Sequence, residues 1–284
     1  DVDPLTTRNI SAPVTILDSQ LVASPDGWID ENGDNFDILT LNASWRKSTL
    51  NRGRLATRGS SQSLAFELSL PGGDLEYYKL TYTGQYFRPL TRSLTLRLRT
   101  KLGYADAYGD TTELPFFENF YSGGFGSVRG FKRNTLGPRA TPAEVYTTTA
   151  YDSDADGTND HILYVLGADG QLISSSRNDD DDPFGGNILI EGSAEILFPM
   201  PFIKDQRSLQ SAFFIDAGNV FDTDCGENQK NCYDVDLSSL SVAAGIGVTW
   251  ITGFGPLTFS VAKALKENEF DDTEFFQFSL GTAF

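Results

Sequence analysis

Ser93-Leu94-Thr95-Leu96-Arg97-Leu98-Arg99-Thr100-Lys101-Leu102-Gly103-Tyr104 is the clearest alternating stretch in the chain, and the fold class is read from its two faces. Successive side chains of a strand point to opposite faces. Leu94, Leu96, Leu98, Leu102 and Tyr104 therefore share one face, and Thr95, Arg97, Arg99, Lys101 and Gly103 the other. A soluble β-sandwich turns such an apolar face into its core and leaves the polar face in water. A transmembrane barrel does the reverse, apolar toward lipid and polar toward a wet lumen, with strands of about 9–11 residues. Alternation alone is common to both.

Working outward, the same period recurs along the chain. Leu39, Leu41, Ala43 and Trp45 share a face, as do Leu64, Phe66, Leu68 and Leu70, and then Tyr78, Leu80, Tyr82 and Tyr86. Beyond a long gap come Ile188, Ile190, Ala194, Ile196 and Phe198, set against Asn187, Glu191, Ser193 and Glu195. Phe213, Ile215 and Ala217 oppose Phe214, Asp216 and Gly218. Val242 to Trp250, Leu257 to Val261, and Phe276 to Phe284 complete nine strands. A tenth, Ile10 to Ile16, is weakened by Pro13, which confines a strand to an edge or excludes it. No helix-period segment competes. The connections alternate between short (88–93, 199–207, 252–256) and long (109–186, 221–238, 265–273), as in outer-membrane barrels with short periplasmic turns and long external loops. The polar faces are small or charged, while the apolar faces are rich in Leu, Phe and Tyr. This balance favours an antiparallel transmembrane β-barrel, with the soluble sandwich as the competing reading.

Composition narrows the function. No run of 18 apolar residues is present for a membrane-crossing helix. Aromatic residues make up 12%, dominated by 21 Phe and 11 Tyr, which suits strands and interfacial girdles. The formal charge of −17 argues against nucleic acid. The single histidine, His161, has no Ser or Cys arranged beside it as a nucleophile, so the chain does not read as an enzyme. Cys225 and Cys232 bracket a polar loop that a small disulfide can close, implying passage through an oxidising compartment. The chain opens at Asp1 without an initiator Met or signal peptide, which reads as a processed product or fragment.

Inside the long gap lies Ser122-Gly-Gly-Phe-Gly-Ser-Val-Arg-Gly-Phe131. Its glycines permit sharp turns and close backbone approach. An arginine held at its centre is a fixed cationic plug wherever carboxylates meet it. The longer run from Leu114 to Pro138 resembles the large external loop of the BamA family of outer-membrane protein assembly factors. Gly185-Gly186-Asn187, Glu195 to Arg207, Phe213 to Asp222, and Gly255 to Ser260 are similar to that family as well. The resemblance covers about Asn35 to Phe284.

That resemblance implies a sixteen-stranded barrel preceded by periplasmic POTRA domains. Residues 1–284 would supply its C-terminal nine or ten strands, without the POTRA domains, and 109–186 the external loop that carries the Val128-Arg129-Gly130-Phe131 motif. It implies that Arg129 folds into the lumen and meets Glu195 and Asp216, which the parity count independently places on the inward face. It also implies that the last strand, with Phe276, Phe278, Leu280, Gly281 and Phe284, pairs weakly with the first and opens a lateral seam for client strands. The implied protein is a core insertase of the outer membrane of a Gram-negative bacterium, working without ATP. Its partners would be unfolded β-barrel proteins, the lipid bilayer and, through the POTRA domains, BAM lipoproteins. A related polypeptide-secreting pore, FhaC-like or TamA-like, is the alternative. One feature stands apart from the resemblance. Asp152, Asp154, Asp156 and Asp160 with Gly157 match the start of an EF-hand calcium loop, but Leu163 stands where a bidentate Glu belongs, so a calcium site and a solvated acidic loop both remain open.

Overall fold

The computed structural model describes residues 35–53, 55–139, 143–146, 148–151, 161–164, 174–178, 182–200, 208–225, 229–253 and 255–280. The strands in chain order are β1 (Thr40–Ser48), β2 (Gly59–Ser69), β3 (Tyr77–Pro89), β4 (Thr95–Ala107), β5 (Ala143–Tyr146), β6 (Thr148–Tyr151) and β7 (His161–Tyr164). They continue with β8 (Ser174–Asn178), β9 (Ile188–Phe198), β10 (Leu209–Phe221), β11 (Ser241–Thr252), β12 (Gly255–Lys266) and β13 (Phe276–Leu280). Two units are distinguished. One, residues 37–138, 183–225 and 231–284, holds a nine-stranded antiparallel sheet in the order β1-β2-β3-β4-β9-β10-β11-β12-β13. The other, residues 1–36, 139–182 and 226–230, includes the two-stranded ladders β5-β8 and β6-β7.

The nine strands of the sheet are the nine that the period-2 pattern marks. The sequence reading treats 109–186 as one long loop without strands of its own; four short strands lie within it. Each is four or five residues long, too short for alternation to register against neighbouring turn residues. The tenth candidate, Ile10 to Ile16, lies outside the described residues.

Burial on β10 separates the two fold readings. Phe213 and Ile215 are 52% and 54% exposed, whereas Phe214 and Asp216 between them are 3% and 0% exposed. A soluble sandwich cannot bury the aspartate row and expose the Phe/Ile row, because that is the costly arrangement in water. The sheet is therefore that of a membrane barrel, with an outer face of Leu, Ile, Phe and Trp. Among the described residues β1 pairs only with β2 and β13 only with β12.

Register fixes what faces inward. Arg97, Arg99 and Lys101 of β4 stand opposite Glu195, Ser193 and Glu191 of β9, a row of opposite charges and hydrogen-bonding groups across the two strands. On β10, Phe214 pairs with Glu195 and Asp216 with Ser193. This row waits for whatever packs against the inner face.

Candidate functional site

The segment that packs there is the glycine-rich loop. Phe120 and Gly186 exchange both backbone hydrogen bonds, and Leu136 N donates to Ser122 O, so the chain enters and leaves the loop through tethered points. Ser122 Oγ donates to Glu191 Oε1 at 2.8 Å, and Ser127 Oγ bonds the same oxygen. Val128, Phe131 and Leu136 pack with Ala243 in a cluster that is at most 1% exposed. Fully burying Val128 and Phe131 contributes about 1.5–3 kcal/mol each toward docking the loop.

Two glycines make the approach possible. Gly130 has φ +93°, and a Cβ there would lie 2.8 Å from Ala243 Cβ. On the wall, a Cβ on Gly218 would lie 2.8 Å from Val128 Cγ2, so the strand is bare where Val128 rests. The motif and the wall are thus trimmed to fit each other.

Arg129 is carried inward between these apolar neighbours. Its Nε and Nη2 donate to the two oxygens of Asp216 at 2.7 and 2.9 Å, a bidentate fork. Nη2 also donates to Glu195 Oε1 at 2.6 Å, and the Arg129 backbone N–H donates to Asp216 Oδ2 at 3.1 Å. The guanidinium lies over the Phe214 ring, 3.4 Å from its centroid. Ser193 Oγ donates to Asp216 Oδ1 at 2.6 Å. Arg97 Nη1 and Arg99 Nη2 approach Glu195 at 3.3 and 3.4 Å, so this one carboxylate faces three guanidinium groups.

The structure thus brings Arg129, Glu195 and Asp216 into direct contact, and buries Val128, Gly130 and Phe131 around them. Sequence reasoning assigned no role to Phe214, Ser193, Arg97 or Arg99. Their inward parity was readable, but their convergence needs the β4-β9-β10 register. It also missed Gln277 of β13. Gln277 Nε2 donates to Phe131 O at 2.6 Å and to Glu274 Oε2 at 2.9 Å, while Gly130 N–H donates to Gln277 Oε1 at 3.4 Å. Glu274 N and Lys132 N donate to Gly130 O and Asp272 O across the same junction. The arginine loop is therefore bonded directly to the last described strand.

Phe276, Phe278 and Leu280 of that strand are 51%, 66% and 62% exposed on the outer face. Gly281 and Phe284 lie outside the described residues, as do the calcium candidates Asp152, Asp154, Asp156 and Asp160. Cys225 and Cys232 form a disulfide with Cα atoms 5.7 Å apart. It lies in the connection between β10 and β11.

Known proteins give this geometry a context. A family model described as the Omp85 superfamily domain matches residues 4–284. The outer membrane protein assembly factor BamA of Neisseria meningitidis serogroup B is 36% identical over 256 residues, 84% of this chain and 28% of that protein. A SAM50-like protein of Schizosaccharomyces pombe is 22% identical over 78% of this chain and 39% of its own length. Among solved structures, the crystal structure of BamA from Haemophilus ducreyi lacking POTRA domains 1–3 matches with a TM-score of 0.66 and 28% identity. That match covers 84% of this chain and 41% of the other. The chain spans well under half the length of each of these relatives.

Proposed function

The chain belongs to the Omp85 superfamily, and from that premise we propose that it is part of an outer-membrane assembly factor. In this reading it forms the C-terminal portion of the barrel, and the protein folds and inserts other β-barrel proteins without ATP. The observation that carries the reading is the chain of bonds from the inner wall to the sheet edge, Asp216 and Glu195 to Arg129, and Phe131 to Gln277 on β13. A pore needs only a plug. A templating edge needs a plug that also holds the edge strand in place.

The mechanism follows from what a strand edge offers. The outer edge of β13 presents backbone donors and acceptors on which a client strand can form its first ladder, by β-augmentation. Phe276, Phe278 and Leu280 aim apolar side chains at lipid beside it, where a client's own lipid-facing residues must go. The driving force is the client's burial of its apolar face in lipid, which needs no nucleotide. Arg129, Glu195 and Asp216 act as the latch that keeps the loop docked and the edge in register. The working partners are unfolded β-barrel proteins, the bilayer of the bacterial outer membrane, and lipoproteins recruited through POTRA domains outside this chain.

The test is depletion of the full-length protein in its native host, followed by quantitation of all outer-membrane proteins. A fall across many unrelated barrels is expected. If one secreted protein disappears while barrel levels hold, the protein is a dedicated secretion pore and the assembly reading is wrong.

A further inference from the structure

The two ends of the nine-stranded sheet carry opposite charge. The described short connections at one end, 49–53, 55–58, 90–94, 199–200, 208 and 253, contain three Lys or Arg and no Asp or Glu. The described connections of the same unit at the other end, 70–76, 108–138, 183–187, 222–225, 231–240 and 267–275, contain three Lys or Arg and fourteen Asp or Glu. A chain of net charge −17 therefore keeps one end basic.

The basic side chains are placed where a membrane boundary would be. Trp45, Tyr86 and Trp250 stand exposed on the outer face near the short-turn end of β1, β3 and β11. At the same end of β9 and β10, Phe198 and Phe213 stack with centroids 4.7 Å apart. Aromatic side chains at this position mark the level of the lipid headgroups. Lys47 follows Trp45, and Arg88 follows Tyr86, by two residues on the same outer face. Both are exposed, as are Arg52 and Arg58 between β1 and β2, and Arg92 between β3 and β4. None of these five has an ion-pair partner among the described residues. Long basic side chains beside an aromatic belt lay their stems along apolar surface and hold their charge at the phosphates.

We propose that the short-turn end of the sheet seats on an anionic glycerophospholipid leaflet, with Lys47, Arg52, Arg58, Arg88 and Arg92 as its phosphate contacts. The opposite, acidic end disfavours the same lipid, so the charge asymmetry also fixes which way the sheet faces. Attraction of a basic side chain to an anionic surface is worth about fivefold in local lipid partitioning per residue, and it fades beyond about 10 Å at 0.1 M salt. The inference rests on the barrel fold and is independent of the assembly role.

The experiment uses the full-length protein in nanodiscs of phosphatidylethanolamine containing about one-fifth phosphatidylglycerol, an anionic fraction large enough to give a surface potential. Lipids retained after gentle detergent release are counted by native mass spectrometry. The wild type should retain phosphatidylglycerol several-fold above its bulk share, and the variant K47Q/R52Q/R88Q/R92Q should fall to the bulk share. Heat-modifiable gel migration shows that the variant still folds. Equal retention by the two proteins overturns the proposal, as does enrichment that survives 0.5 M salt unchanged. If the variant loses client folding in vesicles of neutral lipid while its phosphatidylglycerol retention matches the wild type, these basic side chains bind an acidic protein surface and the lipid assignment is wrong. Failure of the assembly reading leaves the lipid count unaffected, so the two are separable.

Discussion

Replacing Arg129 by alanine removes three charge-assisted hydrogen bonds and the guanidinium stack on Phe214, and the structure limits what that costs. Breaking a dry buried pair costs about 3–5 kcal/mol, because the surviving charge is stranded. Here neither carboxylate is fully stranded. Glu195 keeps Arg97 and Arg99 at 3.3 and 3.4 Å, and Asp216 keeps the Ser193 hydroxyl and the residue-129 backbone N–H. The expected loss is therefore below that range, about 2–3 kcal/mol, or about 30- to 150-fold in the equilibrium for loop release. Hydrogen exchange on the full-length protein in detergent reads this directly. Amides of 122–136 should lose that much protection in Arg129→Ala, while β2 and β3 stay unchanged. Arg129→Lys should lose nearly as much, since a lysine cannot span Asp216 and Glu195 with a planar fork. A double-mutant cycle with Asp216→Asn should give coupling of about 1 kcal/mol or more. Unchanged protection in Arg129→Ala would show that Val128 and Phe131 alone hold the loop, and the latch argument would fail.

Three further outcomes are expected. Gln277→Leu removes the acceptor of Gly130 N–H and the donor to Phe131 O, so protection at 130–131 and on β13 should fall together by about 1–2 kcal/mol; a fall confined to one side would separate loop from edge. Cys232→Ser should make the β10-β11 connection easier to cleave with protease, by about 2 kcal/mol of lost cross-link, without shifting the heat-modifiability midpoint of the barrel. Matching cleavage rates would count against the bond. At Asp236, in the same connection, hydrogen bonds from the Ser238 side chain and backbone hold the carboxyl below its usual range. Its contribution is fully present above the ordinary aspartate value and disappears as pH falls through the lower folded value. Protection of the Ser238 amide should follow that course and should be flat with pH in Asp236→Ala.

How much of this was legible in the residues varies by element. The nine strands and their faces were readable because side-chain direction alternates strictly along a strand, so Leu94 to Tyr104 or Ile188 to Phe198 carry their orientation in parity alone. Parity also put Glu195 and Asp216 inside, and the spacing of Cys225 and Cys232 marked their bond. Membrane against water was not decided by alternation, which both environments produce. It was decided by a burial contrast between adjacent residues, Ile215 exposed beside Asp216 buried. The short strands of the 109–186 segment were missed because four or five residues give too few alternations to stand out.

The sequence by itself determined what local period governs: strand identity and the inner and outer faces of each strand. Only the tertiary structure decided which distant residues meet. Arg97, Ser193, Phe214 and Gln277 are separated from Arg129 by between 32 and 148 positions along the chain. Nothing local encodes the β4-β9-β10 register or the descent of the loop onto it. Those follow from strand pairing and from the burial of Val128 and Phe131, which are properties of the assembled sheet.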